Sequence, residues 1–296
     1  MNKILITGGT GLIGEVLQKK LLDNNIKVVV LSRNPQKENE FRWDISKGYI
    51  DDKAFEGITH IIHLAGAGIA DKRWSSSRKK ELIDSRVKSA NLLFKKVKEL
   101  QIDLKGFVSA SGIGYYGAIT SDKIYTELDK PANDFISKVC VAWEKSAHQF
   151  KQIDVPVTIL RTGIVLTKKG GALEKINTPF LLSVLGKGNQ YLPWIHIDDL
   201  CNLYLKSVES NDFTGIFNAV SPAKQTYLEF VKILSKSIHK KIFPINAPSF
   251  ILKIILGEMS SILLKGSRIS SEKTTSKYSF LYTKLKIALN QTFNKN

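Results

Sequence analysis

Between Lys3 and Leu22 the chain reads K-I-L-I-T, then G-G-T-G-L-I-G, then E-V-L-Q-K-K-L-L. The glycines of the middle stretch can do chemistry with backbone alone. Gly9, Gly11 and Gly14 fit G-x-G-x-x-G, and Gly8, Gly11 and Gly14 give an overlapping G-x-x-G-x-x-G. A first glycine permits a tight turn at positive φ, Gly11 removes the Cβ that would block a pyrophosphate, and Gly14 lets a helix pack close to a strand. Free N–H groups from Thr10 through Leu12 and Ile13 then face an anion at the helix N-terminus. A glycine run that closes an apolar strand and opens a helix is the pattern of a dinucleotide site.

The end of the second strand selects the dinucleotide. A site that prefers NAD usually carries an acidic residue about 20 positions beyond the glycines, accepting from the ribose 2′-OH. Ser32 and Arg33 stand there instead. An arginine fork suits a 2′-phosphate and a serine hydroxyl adds a donor, so NADP(H) is the expected cofactor. Asp44 is expected to accept from the adenine amino group, and Leu64, Ala65 and Gly66 to line the opposite wall.

These residues need a scaffold. Apolar runs at Lys3–Thr7, Lys27–Leu31, His60–Ala65, Gly106–Ser111 and Val157–Arg161 read as strands buried on both faces, with a further extended stretch at Phe41–Ile45. Helical spacing begins at Gly14 and recurs over Ser77–Leu100 and Phe135–Phe150. Such alternation implies βαβ units, a parallel sheet and a ligand across the carboxyl ends of its strands. After about Ala219 the character changes. Thr226 and Glu229 form a capping-box pattern before a helix at Leu228–Ile238. The apolar stretch from Phe250, interrupted by Lys253 and Glu258, is too short to span a bilayer and reads as a packed helix rather than a membrane-surface one. The expected fold is α/β: a Rossmann-like doubly wound sheet over residues 1–221, then a small, mainly helical C-terminal domain over residues 222–296 that closes a substrate cleft.

At 296 residues, 43% hydrophobic and 24% charged, the chain has the make-up of a globular protein with a sizeable core. The net charge of +17 raises the question of nucleic acid. Only seven of the 44 basic residues are arginine, the lysines are scattered, and no helix-turn-helix, zinc-finger or RNP signature accompanies them. Solvated lysine faces are the expected explanation, with no specific nucleic-acid partner. Cys140 and Cys201 lie far apart without C-x-x-C or Cys/His spacing, so neither a disulfide framework nor a metal site is expected. A first strand at Lys3 leaves no room for a signal peptide, and the cytoplasm is the expected location.

T-G-G-T-G-L-I-G, H-L-A-G at residues 63–66 and S-A-S-G-I-G-Y-Y-G at residues 109–117 together resemble the extended short-chain dehydrogenase/reductase superfamily. More narrowly, the chain resembles its atypical, NADP-binding "epimerase family protein" branch, which is epimerase/dehydratase-like with a small C-terminal domain of unknown function. Arg73-Trp74, Gly114-Tyr-Tyr-Gly117, Trp143-Glu144, Trp194-Ile-His-Ile-Asp198 and Gly257-Glu258-Met259 extend the resemblance over nearly the whole chain. It implies cofactor contacts at Ser32, Arg33, Leu64, Ala65, Glu81, Arg86 and Leu166.

One departure from the superfamily bears on chemistry. Those enzymes place a tyrosine, with lysine four residues on, in the helix after the fifth strand. Here that helix begins Asp134-Phe-Ile-Ser-Lys138 and holds no tyrosine. The candidates to replace it are Tyr116, then Tyr115, after the strand that normally bears the catalytic serine; Ser111, as a hydrogen-bond donor to a substrate oxygen; and His196, near Asp198. The expected function is NADP(H)-dependent oxidoreduction or epimerisation of a hydroxyl- or carbonyl-bearing small molecule, a sugar nucleotide being one option and a homodimer a possible assembly. The rival reading is a non-catalytic NADP(H) sensor or partner-binding protein.

Overall fold

The computed structural model describes residues 2–293. In chain order the strands are β1 (Lys3–Thr7), β2 (Lys27–Ser32), β3 (Glu40–Asp44), β4 (Tyr49–Ile50), β5 (His60–His63), β6 (Gly106–Gly112), β7 (Ile124–Tyr125), β8 (Val157–Thr162), β9 (Ile164–Leu166), β10 (Trp194–His196), β11 (Gly215–Ala219) and β12 (Arg268–Ile269). The helices are α1 (Leu12–Asp23), α2 (Ser76–Glu99), α3 (Phe135–His148), α4 (Gly171–Ile176), α5 (Ile197–Glu209), α6 (Tyr227–Ser237), α7 (Ser249–Leu256), α8 (Ser261–Leu264), α9 (Glu272–Thr275) and α10 (Leu285–Phe293).

Eight strands form one sheet in the order β11-β8-β6-β5-β1-β2-β3-β4, parallel except for β4 at its edge. Its central strands β1 and β2 are mainly apolar because both faces are covered. Ile4, Ile6, Val28, Val30 and Ile62 pack with Leu17, Leu21, Leu200 and Leu203 of α1 and α5. The alternate positions Leu5, Val29, Leu31 and Ile61 pack with Leu92, Leu93 and Ala147 of α2 and α3. Register places Ile6 opposite both Val30 and Ile62, so β1 is the central strand, and the order reverses between β1 and β5. A crevice opens at such a reversal, outside the carboxyl ends of the strands.

A second lobe sits over that edge. Its core joins Leu166, Leu173, Leu182, Val184, Leu192 and Trp194 to Phe230 and Leu234 of α6 and Leu285 and Leu289 of α10. Thr226 and Glu229 form the expected capping box at the start of α6. Asp199, fully buried in α5, accepts from the Tyr278 hydroxyl at 2.8 Å and from the Leu281 and Tyr282 amides at 2.8 and 3.1 Å, pinning the returning chain to the first lobe. β12 pairs with β7 and does the same further along.

Two expectations need correction. α1 begins at Leu12 rather than Gly14, because Gly11 already serves as its N-cap. And α7 is packed on one side only: none of its residues is fully buried, although Leu256 lies against the cluster of Trp74 and Met259. Among the described residues no helix is long and apolar enough to cross a membrane.

β5 carries two buried histidines. The His63 Nδ1 accepts from the Trp143 indole N–H at 3.2 Å, so its Nε2 carries the proton and donates to the Ser89 hydroxyl at 2.7 Å. Burial, helped by the Arg86 cation, pushes His63 down to about 3, and burial with Lys105 pushes His60 down to about 4. Both are therefore neutral in the folded protein and protonate first in the unfolded one. Their stabilisation is complete above pH 6.5 and is lost as pH falls from there toward 4 and 3. Each should contribute a slope of about 1.4 kcal/mol per pH unit. Denaturant titrations between pH 7 and pH 4.5 should show stability falling, with a shallower fall in His60→Asn; a flat profile would contradict the buried neutral state.

Candidate functional site

The glycine loop is built as a backbone cradle. Gly8 has φ +71°, and a Cβ there would lie 3.1 Å from the Ala65 amide nitrogen. The positive φ thus belongs to Gly8, so the working trio is Gly8, Gly11 and Gly14. Gly9 is packed beneath Val30, where a Cβ would meet Cγ1 at 2.7 Å. A Cβ on Gly14 would fall 2.4 Å from the Gly8 carbonyl oxygen, whereas one on Gly11 meets only that oxygen, at 3.2 Å. No side chain caps α1. Its first N–H groups are left for an anion beside exposed Thr10 and Gly11. The flanking residues Leu12 and Ile13 are half-buried, Leu12 reaching toward Gly170 and Gly171. Leu64, Ala65 and Gly66 form the facing wall, tied to β1 by the Leu64 and Ala65 amides donating to the Thr7 carbonyl and hydroxyl at 3.1 and 3.2 Å.

Beyond this cradle a groove of about 800 Å³ is lined by Arg33, Arg42, Asp44, Ile45, Glu81 and their neighbours. Ser32 closes β2 and accepts from the Asn34 amide at 3.2 Å. Arg33 and Arg42 are exposed and, among the described residues, have no carboxylate partner. Arg42 had no signal in the sequence beyond its place in a short strand. Asp44 accepts from the Ser46 amide and hydroxyl at 2.9 and 2.6 Å, and the Ser46 hydrogen bond holds its carboxyl below the usual range. Glu81 is exposed at the rim and holds Arg78 at 2.7 Å, and Arg78 in turn donates to the Gly68 carbonyl.

A second cavity of about 420 Å³ lies against the carboxyl ends of β6 and β8. Ile113, Ile136, Trp143, Ile164, Leu192 and Leu263 give it an apolar lining. Arg86 enters from α2. It is 5% exposed, its Cζ lies 4.6 Å from the Trp143 ring centroid, and a Cβ on Gly66 would come within 2.8 Å of that carbon. One guanidinium N–H reaches the Leu82 carbonyl at 2.9 Å, but the buried Nε has no partner. Burial pushes this cation down to about 10. A desolvated guanidinium between the crevice and the cavity, with no carboxylate partner among the described residues, is a fit for a ligand anion or carbonyl. On α3 the cavity-facing positions four residues apart are Ile136 and Cys140, an alkyl group and a thiol that burial, then Glu144, push up to about 12. No acid–base pair stands there.

The proposed proton donors turn out to be structural. Tyr116 is 1% exposed; its hydroxyl donates to Asn218 Oδ1 at 2.7 Å and accepts from Arg161 at 2.9 Å. It is not among the residues lining the cavity, and burial pushes its hydroxyl up to about 12, which makes it a poor acid. Arg161 grips Glu144 through Nε and Nη2 at 2.9 and 2.8 Å, and its Cζ lies 3.3 Å from the Tyr115 ring centroid, so Tyr115 is a stacking platform. Burial alone lowers Arg161, but the bidentate Glu144 outweighs it and raises the cation overall. Ser111 does line the cavity, yet its hydroxyl donates to Glu144 at 2.7 Å. His196 accepts from the Asp198 amide at 3.2 Å as the N-cap of α5 and packs on Tyr282, away from the cavity. Leu166 is fully buried in the second lobe's core, and Ile164 at the start of β9 lines the cavity instead. Tyr191, Lys265 and Ser267, also on the cavity wall, escaped sequence reasoning because they lie in irregular segments. Gly257-Glu258-Met259 was the one nearby signal.

A reversal crevice with a glycine cradle and an adjoining apolar cavity defines a nicotinamide-dinucleotide-binding protein of the Rossmann class. The chain belongs to the NAD dependent epimerase/dehydratase family, which it matches over residues 4–219, and it matches a domain of unknown function, DUF1731, over residues 247–292. It is 33% identical over 305 residues to an epimerase family protein of Staphylococcus aureus (strain bovine RF122), covering 100% of both chains. Human epimerase family protein SDR39U1, solved with NADPH, is similar at 28% identity with a TM-score of 0.87 over 98% of each chain. A nucleoside-diphosphate sugar epimerase from Corynebacterium glutamicum is similar at 27% identity and a TM-score of 0.80, over 97% of this chain and 57% of that one.

Removing one partner of a buried ion pair leaves a desolvated charge, which costs about 3–5 kcal/mol. Glu144→Ala should lose stability on that order in equilibrium urea unfolding. The double change Glu144→Leu, Arg161→Met should recover most of it; equal losses in both would mean the pair's charge is not what matters.

Proposed function

We propose that the chain binds NADPH in preference to NADH and exchanges hydride between it and a small, largely apolar carbonyl or hydroxyl compound bearing one anionic group. The observation that carries this reading is the cavity at the ends of β6 and β8, with Arg86 at its junction with the dinucleotide crevice. Gly8 to Gly14 and the α1 N-terminus would hold the pyrophosphate, Asp44 and Ile45 the adenine end, and Arg33 with Arg42 a 2′-phosphate. The human neighbour solved with NADPH supports that choice. A bound nicotinamide supplies or accepts the hydride. Arg86 would orient an anionic or carbonyl oxygen, while Ile113, Ile136, Trp143 and Ile164 exclude water.

A sugar nucleotide suits this lining less well. Its hydroxyls need polar partners, and the Ser111, Gln190 and Ser267 side chains already donate to Glu144, to the Leu185 and Leu263 carbonyls and to the Ile119 carbonyl. A group already committed in this way is costly to redirect. The sensor reading keeps one specific support, the alkyl and thiol positions Ile136 and Cys140 on α3. A proton has to come from Tyr191, the one phenol among the lining residues, from the Lys265 ammonium, or from water. General acid catalysis contributes about 10²- to 10⁴-fold, so slow turnover is expected.

Calorimetry with both cofactors tests the first part. A charge-assisted hydrogen bond contributes about 1.5–3 kcal/mol, so Arg33→Ala should weaken NADPH roughly 10- to 150-fold and leave NADH unchanged. Equal losses for both would remove Arg33 from the phosphate site. NADPH oxidation with branched and aromatic oxo-acids, their amides and sugar nucleotides tests the second part. Turnover should favour the oxo-acids and drop in Arg86→Met; tight NADPH binding with no turnover on any of them would move the assignment to the sensor.

A further inference from the structure

The least expected surface lies on the second lobe and lines neither cavity. α7 reads Ser-Phe-Ile-Leu-Lys-Ile-Ile-Leu. Its half-buried Leu252 and Leu256 lie on one side, Leu256 against the Trp74–Met259 cluster. Phe250, Ile251, Ile254 and Ile255, at i, i+1, i+4 and i+5, share the opposite face and are 63, 41, 70 and 61% exposed. An amphipathic helix normally turns its apolar stripe to the core; this one also turns one outward. Neighbouring chain adds to it: Phe243 and Ile245 are 44 and 66% exposed in the irregular segment leading to α7. That segment is held by its Phe243 and Ala247 amides donating to the Leu182 and Val184 carbonyls at 2.8 Å each.

The segments that build this face are rich in cations, and the Glu258 carboxylate that follows α7 is taken up by Lys79. Residues 175–197, 230–257 and 259–271 contain two, five and two lysines or arginines and no aspartate or glutamate. These segments are knit into one lobe by the 182–247 pairing, by the Tyr191 amide donating to the Gly266 carbonyl at 3.2 Å, and by Gln190 donating to the Leu263 carbonyl at 2.9 Å. Only Lys175 and Arg268 of the nine reach a carboxylate, at Asp71 and Asp122. The other seven are lysines with no carboxylate partner among the described residues.

We infer that this face rests on the surface of a lipid bilayer carrying anionic headgroups. The outward isoleucines and phenylalanine enter the headgroup boundary, and the surrounding lysines meet the lipid phosphates. A second copy of the chain is the poorer occupant. A twofold interface brings the same patch onto itself, and here it would press lysine toward lysine, since Glu258, the carboxylate that follows α7, is already held by Lys79. The inference is independent of the hydride-transfer reading, because neither α7 nor the 243–245 segment lines the dinucleotide crevice or the apolar cavity.

Co-sedimentation of the full chain with vesicles of phosphatidylcholine alone, and of phosphatidylcholine mixed with phosphatidylglycerol, tests it. Binding is expected to the mixed vesicles only and to weaken with added salt. Burial of an isoleucine side chain suggests a loss of roughly tenfold for each of Ile254→Ser and Ile255→Ser, and Lys253→Glu should weaken binding too. NADPH affinity of the three variants, measured by calorimetry, should match the unaltered chain and so report an intact fold. Absence of vesicle binding overturns the inference, and so does equal binding to both vesicle types. Concentration-dependent self-association abolished by Ile254→Ser would assign the face to a second copy, and retention by an acidic protein without vesicle binding would assign it to a protein partner.

Discussion

A guanidinium and a carboxylate sealed from water hold the floor of the cleft together. Arg161 on β8 and Glu144 on α3 are 1 and 5% exposed, and two ions taken that far from solvent are tolerated only when their hydrogen-bonding groups are satisfied. Glu144 accepts two bonds from Arg161 and one from Ser111 on β6; Arg161 also donates to Tyr116 and lies over Tyr115. The chain of bonds runs on through Asn218 on β11 to the Ser270 carbonyl. Three sheet strands, one helix and the returning C-terminal segment therefore meet at one desolvated charge pair. Whatever occupies the apolar cavity is positioned by elements that this pair keeps in register.

That role explains why the chemistry was harder to read than the fold. The glycine loop was legible because only glycine tolerates what Gly8 and Gly14 must do, and such a requirement shows in composition. The strands were legible because Ile4, Leu5 and Ile6 are apolar in succession, the mark of two covered faces. A tyrosine, serine or histidine carries no comparable mark. Tyr116, Ser111 and His196 have the atoms of an acid, a donor and a base, and the interior uses the same atoms to satisfy a guanidinium, a carboxylate and a helix end. Whether a polar group faces a cavity or a buried partner depends on long-range contacts, Tyr116 with Asn218 being 102 residues apart. The helix at α7 misled for a related reason. An apolar stretch shows that a side chain prefers to leave water, not which surface receives it.

The two lobes divide the labour accordingly. The sheet lobe supplies backbone, meeting an anion with amide groups that no substitution short of a loop change removes. The second lobe supplies side chains from Ile164 on β9, Leu263 on the short α8 and Leu192 on the irregular segment before β10. On the proposed reading, selectivity for the compound that enters would rest on that lobe and on Arg86, whose ring platform Trp143 is itself held by neutral His63. A change at β5 thus reaches the cavity through two contacts.

The bond from Asn218 to Ser270 has a bearing on how the molecule is made. A chain grows from its N-terminus at about 5–20 residues per second, and domains fold as they emerge. All eight strands of the sheet are present once Ala219 has left the ribosome, but Asn218 Nδ2, the strand edge at Ile124–Tyr125 and Asp199 still lack their partners in residues 268–282. For an interval of seconds the nascent protein is a nucleotide-binding half with an open, apolar flank. Ligand at the glycine cradle during that interval would steady the half already formed, and a chaperone would find the flank.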